Sequence, residues 1–495
     1  MLWILFNVLC FKIMIYFIIV FLILYLYLSI KRLDWSLMVL LFLLPTYLIR
    51  FKIGVPGLSG AEIPITLLEA MIWIVFIIWF YQNHKMVLVN LKNKFKINNF
   101  KLKIVSDYPF KWEMILLLIV SFIAAGISGF SNEALGVWKA YFFEPLLLFI
   151  AAFNIFGKNE ESFKKKYFKM IIPLACSAFI ISLFAVYQKI TGHFIPKPLW
   201  SAEATRRVTS VFGYPNAVGL YLESIILLMV GFVISKTKAT ALKPLNDKWK
   251  IIFLVITILI SILAIIFAKS VGASLGVGAG IICFALFANK KSRISAIIFL
   301  LVAAIGIATY QPARHQALKY LTLNDFSGQV RKAQWKETWE MLKVDNHWLW
   351  GSGLSSYQNV IKPFHKEGIF VKDYDDPDAQ RKLVFNEEYR KAHWQPLEIY
   401  LYPHNIILNF WTELGLAGLL LFAWIIVKYL FLGVKSLKLK VENERYLMVG
   451  LICAMVVMVV HGLVDVPYFK NDLAVIFWIL MVMMGSVNIK KDRDN

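Results

Sequence analysis

Long apolar runs separated by short basic loops make up most of this 495-residue chain. Runs such as 115–125, 251–268 and 447–460, with their flanks, are long enough to cross roughly 30 Å of hydrocarbon as helices. Candidate spans fall near 10–30, 35–50, 62–81, 113–129, 137–156, 169–188, 213–235, 250–268, 271–288, 294–310, 405–431, 446–464 and 472–488. The pattern predicts an all-α, polytopic membrane protein with about 12–13 transmembrane helices. The count turns on residues 2–30. That run is too long for the core of a signal peptide and lacks a small-residue cleavage site, so it predicts an uncleaved helix ended by Lys31-Arg32. The ten-residue alternating segments of a membrane barrel are absent from the sequence.

Three polar stretches interrupt the apolar pattern: 189–216, the tight turn 269–274, and the long segment 311–403. The last is not low-complexity. Trp335, Trp339 and Leu342 recur at helical spacing and predict an amphipathic helix over 331–343. Trp350-Gly351-Ser352-Gly353 marks a turn, and the charged stretch 372–391 predicts a second, solvent-facing helix. The expected organisation is therefore transmembrane helices over 1–310, a folded helical cap over 311–403, and further transmembrane helices over 404–495.

Charge sets the expected topology. The net charge is +22 and 59% of residues are hydrophobic. Thirty Lys and Arg fall in seven short segments (31–32, 85–111, 158–169, 236–250, 290–293, 428–445, 490–493), whereas 311–403 holds 13 against 12 Asp and Glu. That asymmetry places the basic loops and the C-terminus in the cytoplasm and the cap outside. It also argues against nucleic acid as the reason for the positive charge. Cys10, Cys176, Cys283 and Cys453 are scattered through apolar runs with no metal-ligand spacing, so neither a disulfide framework nor a metal site is expected.

The candidate chemistry lies where cap meets membrane. Tyr402-Pro403-His404-Asn405 enters an apolar helix that continues through Glu413-Leu414-Gly415-Leu416-Ala417-Gly418. Pro403 suits a first helical turn. Spacings of three and four would put His404, Leu408, Trp411, Gly415 and Gly418 on one face, with the glycines admitting a neighbouring helix. His404 is a candidate base; a structural interfacial His is the competing reading. Arg206 and Arg207 precede Gly213-Tyr214-Pro215-Asn216 and suit a lipid diphosphate, or else snorkel to headgroups. Glu413, inside an apolar stretch, and Asp465, near His461, are candidates for a site or for a helix-to-helix hydrogen bond.

These residues carry a resemblance. The chain from about Ala134 onward resembles the O-antigen ligase/polymerase superfamily, which includes O-antigen ligases, O-antigen polymerases and protein O-oligosaccharyltransferases. The likeness rests on 134–139 with Glu144-Pro145, on Arg206-Arg207 through Asn216, and on Ser270-Val271-Gly272-Ala273. It continues in the Trp335 to Gly353 block and is most specific in His404-Asn405 with 413–418. The resemblance implies a membrane glycosyltransferase, requiring no metal or cofactor. It would move a glycan from an undecaprenyl-diphosphate carrier to a hydroxyl of a glycolipid, glycan or protein, at the outer face of the cytoplasmic membrane. It implies His404 as the catalytic residue, and Arg206 or Arg207 as diphosphate ligand, with Asn405 beside them. Glu413, Asp465, Gly415 and Gly418 would support. The family often carries Arg where this chain has Val271, and Lys269 is the expected substitute. A transporter of lipid-linked saccharides is the alternative class; it would be expected to show internal repeats and midplane polar residues, and neither pattern is evident.

Overall fold

The computed structural model describes residues 2–54, 62–95, 108–157, 163–239, 248–438 and 442–488. Helices of ten or more residues, in chain order, are α1 (Leu2–Lys31), α2 (Leu33–Phe42), α3 (Leu67–Phe95), α4 (Lys111–Ile127) and α5 (Asn132–Gly157). Next come α6 (Phe163–Thr191), α7 (Asn216–Ala239), α8 (Lys248–Ala268), α9 (Val271–Ala288) and α10 (Lys290–Thr309). The cap contains α11 (Gln311–Leu321) and α12 (Phe326–Leu342), and α13 (Ile406–Leu437), α14 (Glu442–Gly462) and α15 (Asn471–Asn488) complete the chain. The architecture is all-α and polytopic. Among the described residues, nine helices are long and apolar enough to cross a membrane: α3, α5 to α10, α13 and α14.

Nine is fewer than the 12–13 expected: the apolar helical stretches Ile15–Lys31, Lys111–Ile127 and Asn471–Val487 are shorter than that length, and one expected span is broken. Residues 35–50 do not form a crossing helix, because α2 stops at Phe42 and Pro45 sits in the first turn of a short 3-10 segment, Leu44–Leu48. Proline has no N–H to continue the α-helical ladder. The chain then turns into a small antiparallel hairpin, Arg50–Gly54 with Glu62–Thr66, in which Phe51 pairs with Ile65.

The bundle is organised around α14, which packs on α7, α9, α13 and α15. At the α7–α14 crossing, a Cβ on Gly231 would lie 2.9 Å from the Gly450 Cα, so the two backbones are in contact. Small residues allow this approach where hydrocarbon gives no hydrophobic drive between helices.

In the cap, α12 starts at Phe326, five residues before the expected helix. Its buried face is Gln334, Glu337, Thr338, Met341 and Leu342. The tryptophans flank that face: the Trp335 indole donates to the Pro403 carbonyl at 2.7 Å, and Trp339 meets Trp411 edge to face. The expected solvent-facing helix over 372–391 is two short ones, Ala379–Phe385 and Glu387–Ala392. The break falls at Asn386, whose side chain accepts from the Tyr389 N–H and caps the second.

The turn 347–353 locks the cap to the bundle. Gly415 has φ 71° and ψ −173°, so α13 is broken there rather than continuous. Gly351 has nearly the same conformation, φ 72° and ψ −161°. That region of backbone space is open essentially to glycine alone. The two face each other: a Cβ on Gly351 would stand 2.4 Å from the Thr412 carbonyl oxygen, and one on Gly415 would stand 2.3 Å from that of Leu349. The Ser352 N–H donates to the Thr412 carbonyl at 2.6 Å, and the Ser355 N–H donates to Glu413 Oε2 at 2.7 Å. On the other side, the Ser128 hydroxyl of the α4 end donates to the Leu354 carbonyl at 2.7 Å. Gly415 thus receives a cap turn and not a neighbouring helix, and a Cβ on Gly418 would press on its own Leu414 at 2.2 Å. This corrects the expectation that both glycines form a helix-packing face.

Candidate functional site

The segment 402–405 is a loop, and α13 begins only at Ile406. Asn405 is its N-cap: Oδ1 accepts from the N–H groups of Ile407 and Leu408 at 3.0 and 3.1 Å. Its Nδ2 donates to the Leu463 carbonyl at 2.9 Å. Satisfying the free amides of a helix start is what an N-terminal Asn does best. The carboxamide expected to touch substrate is therefore spent on the fold, with at most one N–H left over.

His404, one residue earlier, has φ 44° and does not belong to the helical face expected for it. That conformation swings the imidazole toward α12. Gln334 Nε2 donates to the Tyr402 carbonyl at 2.8 Å, so its Oε1 faces His404 Nδ1, at 3.2 Å. An amide oxygen can only accept, so Nδ1 carries the ring proton and Nε2 keeps its lone pair. The ring is flanked by Tyr400 and Tyr402, with centroids at 5.0 and 4.8 Å. Its pKa is lowered, chiefly by burial, with Arg331 adding repulsion and Asp465 opposing it. His404 is thus a neutral base with a known tautomer.

The two arginines part company. Arg206 turns back onto its own loop, donating to the carbonyls of Lys189 (2.8 Å), Ile190 (3.3 Å) and Ser201 (3.2 Å). Arg207 turns the other way. Its Nε donates to the Ala268 carbonyl at 3.0 Å and its NH2 nitrogen to Asn216 Oδ1 at 3.3 Å. Asn216 Nδ2 in turn donates to Asp465 Oδ2 at 3.3 Å. Burial would raise the Asp465 pKa, but its electrostatic coupling to His404, His461 and Arg331 and the Val466 N–H hold its carboxyl below the ordinary value. Burial and then Arg331 lower the Arg207 pKa. One polar chain therefore runs from Arg207 through Asn216 to Asp465, and Asp465 lies within electrostatic reach of His404.

Three more assignments follow. Lys269 lends its carbonyl to Arg207 at 3.4 Å, while its side chain is exposed and without a hydrogen bond or ion pair among the described residues. Glu413 holds the cap turn and makes no contact with this chain of groups. His461, buried below Asp465, donates or accepts at 2.8 Å with Glu223, and a Cβ on Gly272 would sit 2.8 Å from its free Nε2, so the 270–273 turn packs directly on that ring.

Sequence reasoning passed over Arg331, Gln334 and Asn216. Arg331 acts electrostatically on Arg207, His404, His461 and Asp465 and has no hydrogen-bond or ion-pair partner among the described residues. The signal was faint. On α12 its charge looks like the solvated face of an amphipathic helix, and only the fold turns it inward.

Residues 256–423 match the family model described as O-antigen ligase. The chain carries an O-antigen ligase domain. The matched stretch takes in α9, α10, the cap and the start of α13, hence Lys269, His404 and the Gly415 break, but not Arg207, Asn216 or Asp465. The O-antigen ligase domain therefore brings the candidate base and the cap, and the flanking helices bring the arginine and the carboxylate. No curated protein gives a significant match to the chain. The match supports a multi-pass membrane glycosyltransferase in general terms, one that works on a lipid-linked glycan and an acceptor.

Proposed function

We propose that this protein transfers a glycan from an undecaprenyl-diphosphate carrier to an acceptor hydroxyl at the extracytoplasmic face of the cytoplasmic membrane. The observation that carries the reading is the convergence of a neutral, Nε2-basic His404 with Arg207 through Asn216 and Asp465. His404 Nε2 takes the proton of the acceptor hydroxyl as that oxygen attacks the anomeric carbon. The sugar–phosphate bond breaks on the opposite face, which inverts the centre, and the diphosphate departs with the bonding electron pair. Arg207, already held by three acceptors, neutralises the charge that grows on the leaving oxygen. The Asp465 carboxylate steadies the imidazolium. The cap, pinned at Gly351 and Gly415, forms the roof and chooses glycan and acceptor.

Transfer assayed in vitro with the purified protein and a lipid-linked donor tests this. His404→Ala should lower turnover by about 10²-fold or more with carrier-lipid affinity unchanged. Full turnover in that variant would remove the proposed base. The carrier-linked glycans that accumulate on deletion of the gene identify the product class: unextended units mean polymerisation, and long unattached chains mean ligation.

A further inference from the structure

The proposed diphosphate site has one cation fixed by hydrogen bonds, Arg207, and among the described residues the exposed Lys269 side chain makes no bond that would fix a second. Another lysine answers the description. Lys470 lies in the turn between α14 and α15, five residues after Asp465. Its Nζ stands 4.1 Å from the centre of the Tyr214 ring. Among the described residues no acceptor takes any of its three N–H bonds, and no carboxylate lies within 4.0 Å. Asp472, two residues on, turns its carboxylate to its own helix N-terminus and leaves Oδ1 without a partner. Burial lowers the Lys470 pKa. Lys470 is only partly buried, and an ammonium whose donors are unspent is left open to an anion that completes it.

Position supplies the rest. Tyr214 and Asn216 are two residues apart in one turn, with Lys470 against the first and Arg207 bonded to the second. The two cations flank a single turn, and Asp465 acts electrostatically on Lys470 while accepting from Asn216. The Tyr214 hydroxyl meets that of Tyr402 at 3.5 Å, and Tyr402 lies against the His404 ring, so Lys470 faces the same site. Fixed cations on both sides of a turn suit two linked phosphates better than one.

We infer that Lys470 is the second phosphate ligand of the donor site, gripping one phosphate of a lipid diphosphate while Arg207 grips the other. The inference rests on the donor reading above.

The test is equilibrium binding of undecaprenyl diphosphate and undecaprenyl monophosphate to the full-length protein in lipid nanodiscs. Lys470→Met should weaken diphosphate binding by about tenfold or more and monophosphate binding by much less, erasing the preference between them. Lys470→Arg should keep most of it, and Lys269→Ala should match the wild type. Reductive methylation of the unsubstituted protein, read by mass spectrometry, gives a second measurement that needs no variant. Lys470 should be protected by saturating undecaprenyl diphosphate. Unchanged methylation, or a folded Lys470→Met variant that still prefers the diphosphate while Arg207→Ala loses it, overturns the role of Lys470 and leaves the donor site standing. If Arg207→Ala also binds as the wild type does, the donor reading itself fails.

Discussion

His404 is set between charges of opposite sign, and that makes its titration a probe of the site. Burial and Arg331 push its pKa below the ordinary 6.5, and Asp465 pulls it back. A base works only when unprotonated, so transfer should fall as the pH drops through the His404 pKa, with its acid limb below about 6.5. Removing the repulsion in Arg331→Ala raises that pKa and moves the limb to higher pH. Removing the attraction in Asp465→Asn lowers it and moves the limb down. A pH–rate profile whose acid limb is the same in all three proteins would deny His404 this role. The arginine pair separates as cleanly. Arg206→Ala loses three bonds to carbonyls of its own loop, so it should loosen 189–206 to proteolysis and keep turnover within about threefold, since such loop bonds contribute only ~1 kcal/mol each. Arg207→Ala should cost turnover about 10²-fold. Equal defects in the two would contradict the division of labour between them. Adjacent arginines look identical in sequence, because their directions are set by which carbonyls lie nearby.

At the scale of elements, the broken α13 is the most consequential feature. Gly415→Ala forces a side chain into glycine-only backbone and against the Leu349 carbonyl, and should destabilise by roughly 3 kcal/mol or more. The expected readout is a lower thermal midpoint in detergent together with faster protease cleavage within 311–403. Glu413→Gln keeps an acceptor for the Ser355 N–H and should be far milder. A Gly415→Ala protein as stable as the wild type would mean that the break is not needed to seat the cap. The helices themselves were largely legible, since apolar runs of sufficient length leave the backbone little else to do in hydrocarbon. The break was not. Gly415 and Gly418 share the spacing of a helix-packing motif, and nothing local distinguishes a glycine that admits a helix from one that admits a turn 64 residues earlier in the chain, at Gly351. Asn405 could have been recognised, because Asn ahead of an apolar run is a helix start before it is anything else.

The whole molecule assembles its site from distant pieces: Arg207 and Asn216 at the start of α7, Arg331 and Gln334 on the cap, His404 before α13, and Asp465 after α14. Three of these, Arg207, His404 and Asp465, stood out in the sequence as polar groups at the edges of apolar runs. Arg331 and Gln334 did not, since a polar residue in a polar cap carries no contrast. The charge asymmetry of the loops predicts that the cap faces away from the cytoplasm. In a background without the four natural cysteines, a membrane-impermeant maleimide should label Ser355→Cys in intact cells and should reach Lys291→Cys only after lysis. The reverse pattern would invert the protein in the membrane.

The lock between Gly351 and Gly415 also orders events in time. A ribosome adds roughly 5–20 residues per second, and domains tend to fold as they emerge. The cap is fully synthesised before the first residue of α13 exists, and by then only Ser128 and Ala124 at the end of α4 can hold its turn, since Thr412, Glu413 and Gly415 all lie on α13. The cap must therefore wait, folded or not, for the following helix to enter the bilayer. Asp465 comes later still, so a chain arrested before the end of α14 lacks part of the proposed site.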